Sequence, residues 1–331
     1  MAYTTIDDPS AYFQTKLYTG TGNSLALTND GNSDLQPDWV WVKCRDDSHN
    51  HQVFDSVRGV HKRMRTDTDG AETESSESLK SFNTDGFTLG TQANVNNSGN
   101  TFVAWNWKKT ATAGFDIVSY TGNATARTIS HSCGAVPTMI IAKRRSSAES
   151  WGVYHVARTP NKFLRLEGSN NEPDDESSIW NNTTPTSSVF SVGTSGLCNQ
   201  NNGTYIAYLF ADIKGFSKMG SYVGNGNANG SFIFTGFKPA WIMGKKSTGN
   251  DNNWYVFDTK RNPFNLTTKK LRPDTSGTED DNTSKAIDII SNGYKIKTAD
   301  EEFNESGQTY VFMAFAENPF VTSGGVPTTA R

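Results

Sequence analysis

The sequence predicts an all-β chain of three tandem antiparallel β-sandwich or jelly-roll modules of about 100 residues each. Short runs of Val, Ile, Phe, Tyr and Trp recur between clusters of Asn, Gly, Ser, Thr and Asp, with no helical i, i+3, i+4, i+7 pattern. Tyr18-Thr19-Gly20 returns as Tyr120-Thr121-Gly122 and as Tyr222-Val223-Gly224, each step 102 residues. A hydrophobic content of 34%, with 11% aromatic residues, is enough for packed cores.

The landmarks follow one order in each copy. After the Tyr-Thr-Gly stretch come PDWVWVK (37–43), PTMIIAK (137–143) and PAWIMGK (239–245). Next are HQVFDSVR (51–58), WGVYHVAR (151–158) and WYVFDTKR (254–261); GNTFVAWNW (99–107), GTYIAYLF (203–210) and GQTYVFMAF (307–315) close the units. Modules are therefore expected at 1–110, 111–213 and 214–320, with an extended tail over 321–331. A period this long exceeds that of a solenoid, so each copy is expected to carry its own core. The joints KKTATAG (108–114) and ADIKG (211–215) are short enough to hold the copies in a fixed stack.

Strand alternation assigns faces. The closing strand is apolar on both, with Val103, Trp105 and Trp107 on one and Phe102 and Ala104 on the other, as expected of a central, covered strand. Trp39 and Trp41 also share a face, which could be a sugar platform or core. Their counterparts are Met139 and Ile141, then Trp241 and Met243. A platform needs a flat ring and a core only volume, so the substitutions favour core. Lys43, Lys143 and Lys245 end this strand each time, with the stem expected on apolar surface and the head in water.

Composition excludes several classes. A net charge of −3 and a pI near 6.0 argue against nucleic acid as a partner. The basic run His61–Arg65 alternates with apolar residues and reads as a solvated strand face. Cys44, Cys133 and Cys198 lack metal or redox spacing and read as free thiols. No membrane insertion is expected, and the start MAYTTIDDPSAYF is unlike a secretory signal.

Candidate sites are few. Asp55 and Arg58 recur as Asp258 and Arg261, whereas the second copy has His155 and Arg158; a charged ligand site is weighed against structural ion pairs, and the pairs are favoured. Acidic loops follow: Asp67, Asp69 and Glu72, then Asp174, Asp175 and Glu176, then Glu279, Asp280 and Asp281. They lack a complete calcium pattern and read as solvated, with no metal expected. Trp180 with Asn181 and Asn182 has no Trp counterpart in the other copies and is the candidate contact for a ligand or partner, against a loop folded onto its own sandwich. No nucleophile accompanies the five scattered His, no paired carboxylates stand out, and GNGNANG (224–230) opens no helix. Neither catalysis nor a cofactor is expected.

The strings YFQTKLYTGTG, VFDSVRGVHKRM, SFNTDGFTLG, YIAYLFADIKGFSKMGSYVGNG and MAFAENPF, over essentially the whole chain, resemble a family of tail fibre or structural proteins from tailed phages of aquatic bacteria. The resemblance implies tandem concanavalin A-like sandwiches, no enzymatic activity and no transferable functional residue. It implies a virion location, on tail or head, after synthesis in host cytoplasm. Expected partners are other virion proteins, further copies of the chain in a symmetric homo-oligomer such as a trimer, and host-surface glycans. Lectin-like glycan recognition is the alternative function.

Overall fold

The computed structural model describes residues 2–170 and 177–330, so Asp174, Asp175 and Glu176 lie outside the described residues. The chain is all-β: 41% strand in antiparallel sheets and 7% helix. Three sheets repeat one strand order. In the first, Phe13–Thr19, Thr101–Trp107, Trp39–Cys44 and Gln52–Asp55 lie side by side. In the second, Phe115–Thr121, Thr204–Ala211, Pro137–Arg144 and Gly152–His155 do so, with Leu164–Arg165 added at the edge. The third runs Ser217–Val223, Thr309–Pro319, Phe237–Lys246 and Tyr255–Asp258. The closing strand is central in all three, as its two apolar faces require.

Each large sheet is accompanied by a smaller one: Leu25–Leu27 with Gly86–Leu89 and Leu79–Asn83, then Arg127–Ser130 with Val189–Val192, then Phe232–Phe234 with Gly293–Ile296 and Ile287–Ile290. In the first segment, Val40, Val42, Phe102 and Ala104 pack on Leu27, Leu79, Phe87 and Leu89. The opposite face carries Trp39, Trp41, Val103, Trp105 and Trp107, and joins a larger cluster. That cluster also holds Met139, Ile141, Tyr208 and Phe210 from the second sheet, and Trp241, Met243, Met313 and Phe315 from the third. The expectation of a separate core for each copy is met in part: the first and second segments keep interiors of their own between their large and small sheets. Each large sheet gives one face to a shared interior, and the third segment's own interior is continuous with it.

Rings mediate the junction. Trp39 stacks on Tyr208 with centroids 4.7 Å apart, Trp107 meets Trp241 edge-on at 5.4 Å, and Phe210 meets Phe315 at 5.9 Å. Trp39 and Trp41 are buried, so the strip is core; what one copy alone does not reveal is that this core belongs to all three sheets.

The Tyr-Thr-Gly landmark has a local cause. Tyr18, Tyr120 and Tyr222 each donate their hydroxyl to the carbonyl of Val95, Cys198 or Phe303, in the short helices Ala93–Asn96, Gly196–Asn199 and Glu301–Asn304. Buried Asn96, Asn199 and Asn304 end these helices and accept the backbone N–H of Thr21, Asn123 and Asn225. The chain thus passes so close that a Cβ at Gly20, Gly122 or Gly224 would lie 2.1, 2.2 or 2.3 Å from a carbonyl oxygen. Gly122→Ala is expected to cost roughly 2 kcal/mol or more, because backbone rather than a flexible side chain must give way. Its denaturant midpoint measures this, and an unchanged midpoint would refute it.

The joints are tight, with Thr110 bridging Phe115 and Ile213 bridging Ser217. The tail is not extended. Val321 bridges Pro327, Thr328 N–H donates to Phe320 O at 3.0 Å, and Ser323 N–H donates to the Asp7 carboxylate at 2.6 Å. Hydrogen bonds to its own strand and to the N-terminal segment fold it back. Among the described residues, no helix is long and apolar enough to cross a membrane.

Candidate functional site

The recurring Asp-x-x-Arg pairs lie at the junctions between sheets. Asp55 accepts the backbone N–H of Arg58 at 2.8 Å and pairs with its guanidinium, both side chains fully buried. Asp258 accepts Arg261 N–H at 2.9 Å and Arg261 Nε at 2.5 Å. Each carboxylate takes a third donor from another segment: Tyr208 Oη–H on Asp55 at 2.7 Å, and Trp105 Nε1–H on Asp258 at 3.0 Å. Three donors and an adjacent cation make burial of the charge tolerable.

The second segment shows why it departs from the pattern. Tyr208 and Trp105 stand at equivalent positions of their closing strands, and the third such residue is Met313. Methionine has no strong donor for a carboxylate. Here Asp gives way to His155, whose Nε2 lies 3.1 Å from the Phe312 carbonyl. Burial pulls His155 down to about 4, so near neutral pH the ring is uncharged and asks for no counter-ion.

A second contact closes the ring of segments. Trp151 Nε1–H donates to Arg65 O at 2.9 Å, and Trp254 Nε1–H to Arg165 O at 2.8 Å. His51 Nε2 meets Arg272 O at 2.9 Å, while its Nδ1 accepts Trp41 Nε1–H, which makes Nε2 the donor. Burial holds His51 well below its ordinary range, consistent with this neutral form.

Two expectations about charge are corrected. Glu72 and Glu279 are not solvated: Glu72 is gripped by Arg145 at 3.0 and 2.9 Å and by Arg58 at 3.2 Å. Glu279 is gripped by Arg45 at 3.0 and 2.8 Å and by Arg261 at 3.1 Å. Burial opposes their ionisation, yet the paired guanidiniums hold both below the usual carboxylate range. Nor do the strand-end lysines reach water. Lys43 Nζ donates to Cys44 O, Lys143 Nζ to Arg144 O, and Lys245 Nζ to Gly168 O of the second segment, all three residues being buried. Burial pulls each down to about 8.

A depressed lysine leaves the folded chain with fewer bound protons than the unfolded one between about pH 8 and the ordinary lysine value. The stability associated with Lys143 should therefore rise with pH across that window and fall away as pH drops through 8. Relative to Lys143→Met, the wild type should gain up to about 3 kcal/mol between pH 7 and pH 10.5. Denaturant midpoints of both proteins at the two pH values test this; a constant difference would count against it.

Trp180 is corrected as a ligand contact. It ends the helix Ser177–Trp180, is 2% exposed, and packs edge-on against Tyr154 at 6.1 Å, leaving no ring face for a sugar. Asn181 and Asn182 follow it in left-handed conformation at the surface, without an aromatic platform. Among the described residues, no three His, Cys, Asp or Glu side chains cluster as a metal site. The cysteines are buried and free, and burial pushes Cys44 up to about 11.

An open concavity lies elsewhere, at the junction of the first and third segments. This cleft of about 410 Å³ is lined by Asp8, Gln14, Asp30, Asn32, Lys260 and Glu317 over Phe13 and Ala240. Its walls are braced: Asp30 pairs with Lys260 at 3.1 Å, and the Gln14 carboxamide spans Ser10 O, Ser33 O and Gly31 N. Such a cleft can hydrogen-bond a hydroxyl-rich or cationic molecule. Neither His nor Cys lines it. Sequence inspection missed it because its walls are more than 200 residues apart along the chain.

A search of curated proteins finds no match to this chain. One family profile spans residues 8–319, and thus all three large sheets. The chain belongs to the family described as Domain of unknown function (DUF7483).

Proposed function

We propose that the protein is a structural or adhesion component of a tailed-phage virion, on tail or head, formed from three tandem β-sandwich modules closed around one interior. The observation that supports this most is the set of junctions. Rings from all three sheets share one cluster, and equivalent His51, Trp151 and Trp254 contacts occur at each junction. A block cross-braced in this way resists shear and local opening, as a projecting appendage must. The phage resemblance of the repeated strings supports the same reading. Other virion proteins and further copies of the chain are its partners, and no catalytic role is assigned. The test is to purify phage particles that encode the chain and locate it by mass spectrometry and reconstruction. Its absence from washed particles would end the proposal.

Recognition of host-surface glycans is a second reading, and the cleft between the first and third segments is what favours it. A glycan array with the wild type and an Asn32→Ala, Lys260→Ala variant tests it. Binding that ignores both substitutions, or no binding, would remove it.

A further inference from the structure

We infer that the edge strand Phe232–Phe234 is a self-association surface, through which two copies of this chain pair antiparallel about a two-fold axis at Ile233. The proposal concerns the isolated chain and stands independently of a virion location.

The three segments supply the comparison. Leu27, Ile129 and Ile233 are buried residues at equivalent positions of the three edge strands, paired with Phe87, Phe190 and Tyr294. Their outward neighbours are Ala26 and Thr28 in the first segment, and Thr128 and Ser130 in the second. In the third they are Phe232 and Phe234, 48% and 58% exposed. Beside them the Tyr-Thr-Gly landmark becomes Tyr-Val-Gly, and Val223 is 56% exposed where the other segments have Thr19 and Thr121. Ser231 Oγ–H donates to Val223 O at 2.8 Å, which holds this valine next to the edge strand. Three positions that are small or hydroxylated in two segments are thus apolar and exposed in the third. Folding of the module does not require the change, because the first two segments form the same strand without it.

The backbone is as open as the side chains. Ser231 O accepts from Ile296 N and Thr235 N donates to Asn292 O, so residues 231, 233 and 235 turn their backbone groups toward the neighbouring strand. Phe232 and Phe234 turn theirs outward, where no strand among the described residues follows them in the sheet. Exposed edges are ordinarily guarded by charge or proline. Asp30 follows the first edge strand and Arg127 begins the second, whereas Met219–Phe237 contains neither a charged residue nor a proline.

These features fit a second copy. A two-fold axis at Ile233 places Phe232 opposite Phe234 of the partner, and Phe234 opposite its Phe232. Both are outward-facing residues, so each pair exchanges two N–H···O bonds. The four rings fall on one face as cross-strand aromatic pairs. The uncharged stretch brings no like charges together, and two three-stranded sheets become one of six strands. The contact is isologous, and therefore closes as a dimer. Its small extent places it at the weak end of stable interfaces, so pairing should depend on concentration.

Sedimentation velocity from about 1 to about 100 µM, the span of weak homodimers, tests the proposal. The wild type should shift from monomer toward dimer. The variant Phe232→Thr, Phe234→Ser, which takes the residues of the second segment, should remain folded and monomeric. A second experiment reads the register: chains carrying Phe232→Cys and Phe234→Cys, mixed and oxidised, should cross-link as mixed dimers far more than either alone. A wild type that stays monomeric would leave the edge to a different protein and overturn the proposal. A dimer that survives the double substitution, or equal cross-linking of each cysteine chain with itself, would overturn it too.

Discussion

Asp55→Ala is expected to destabilise the protein by about 3–5 kcal/mol, the cost typical of stripping one partner from a buried ion pair. Arg58 is held inside by this carboxylate, and the Tyr208 hydroxyl donates to it from the second sheet. The substitution therefore leaves a buried guanidinium without its nearer carboxylate and a hydroxyl without its acceptor. Arg58 retains Glu72 at 3.2 Å, which softens the loss without restoring the bond to Tyr208. Urea or guanidinium midpoints measure the effect, and a loss under about 1 kcal/mol, the scale of an exposed pair, would show that the charges are solvated. The same chemistry predicts that His155→Asp is destabilising, since Met313 offers the new carboxylate no donor, and that adding Met313→Tyr recovers part of the loss.

Trp39→Ala should cost about 3–5 kcal/mol and loosen the second sheet as well as the first. The Trp39 indole N–H has no hydrogen-bond partner among the described residues, so the loss is one of packing. Its ring lies against Tyr208, Phe115 and Phe210, all from the second segment, and against Trp107 of its own sheet. The cavity therefore opens between sheets. Hydrogen exchange followed by mass spectrometry should show faster exchange in Phe115–Thr121 and Thr204–Ala211 as well as in Trp39–Cys44. Exchange confined to the first segment would mean that the sheets are energetically separate.

The landmarks that repeat in sequence correspond to local necessities. The glycine after Tyr18 or Tyr120 sits against a carbonyl, the closing strand lies between two neighbours, and the Trp39 strand alternates between two apolar environments. The first two constraints act within one segment, and the third recurs because each large sheet turns one face to the shared interior, so all three leave a mark in every copy. The junctions were not legible in this way. Tyr208 and Asp55 are 153 residues apart, as are Trp105 and Asp258, and nothing local to an aspartate announces which distant side chain will donate to it. Glu72 and Glu279 looked like ordinary loop acids for the same reason, and Lys245 looked like a strand end near water because its acceptor, Gly168 O, belongs to the second segment. Trp180 misled in the opposite direction: polar neighbours in sequence suggested exposure, while Tyr154 buries its ring.

Alternation and the 102-residue self-similarity by themselves determined the β class, the order of the landmarks and the core character of the tryptophans. Only the tertiary structure decided that the three inner faces meet, because residue pattern reports which side of a strand is apolar but not what covers it. It also decided which charges are buried, since one donor to each buried aspartate comes from another segment. The edge Phe232–Phe234 required both: comparison of the segments marks its residues as different, and the fold shows them exposed on a strand at the edge of its sheet.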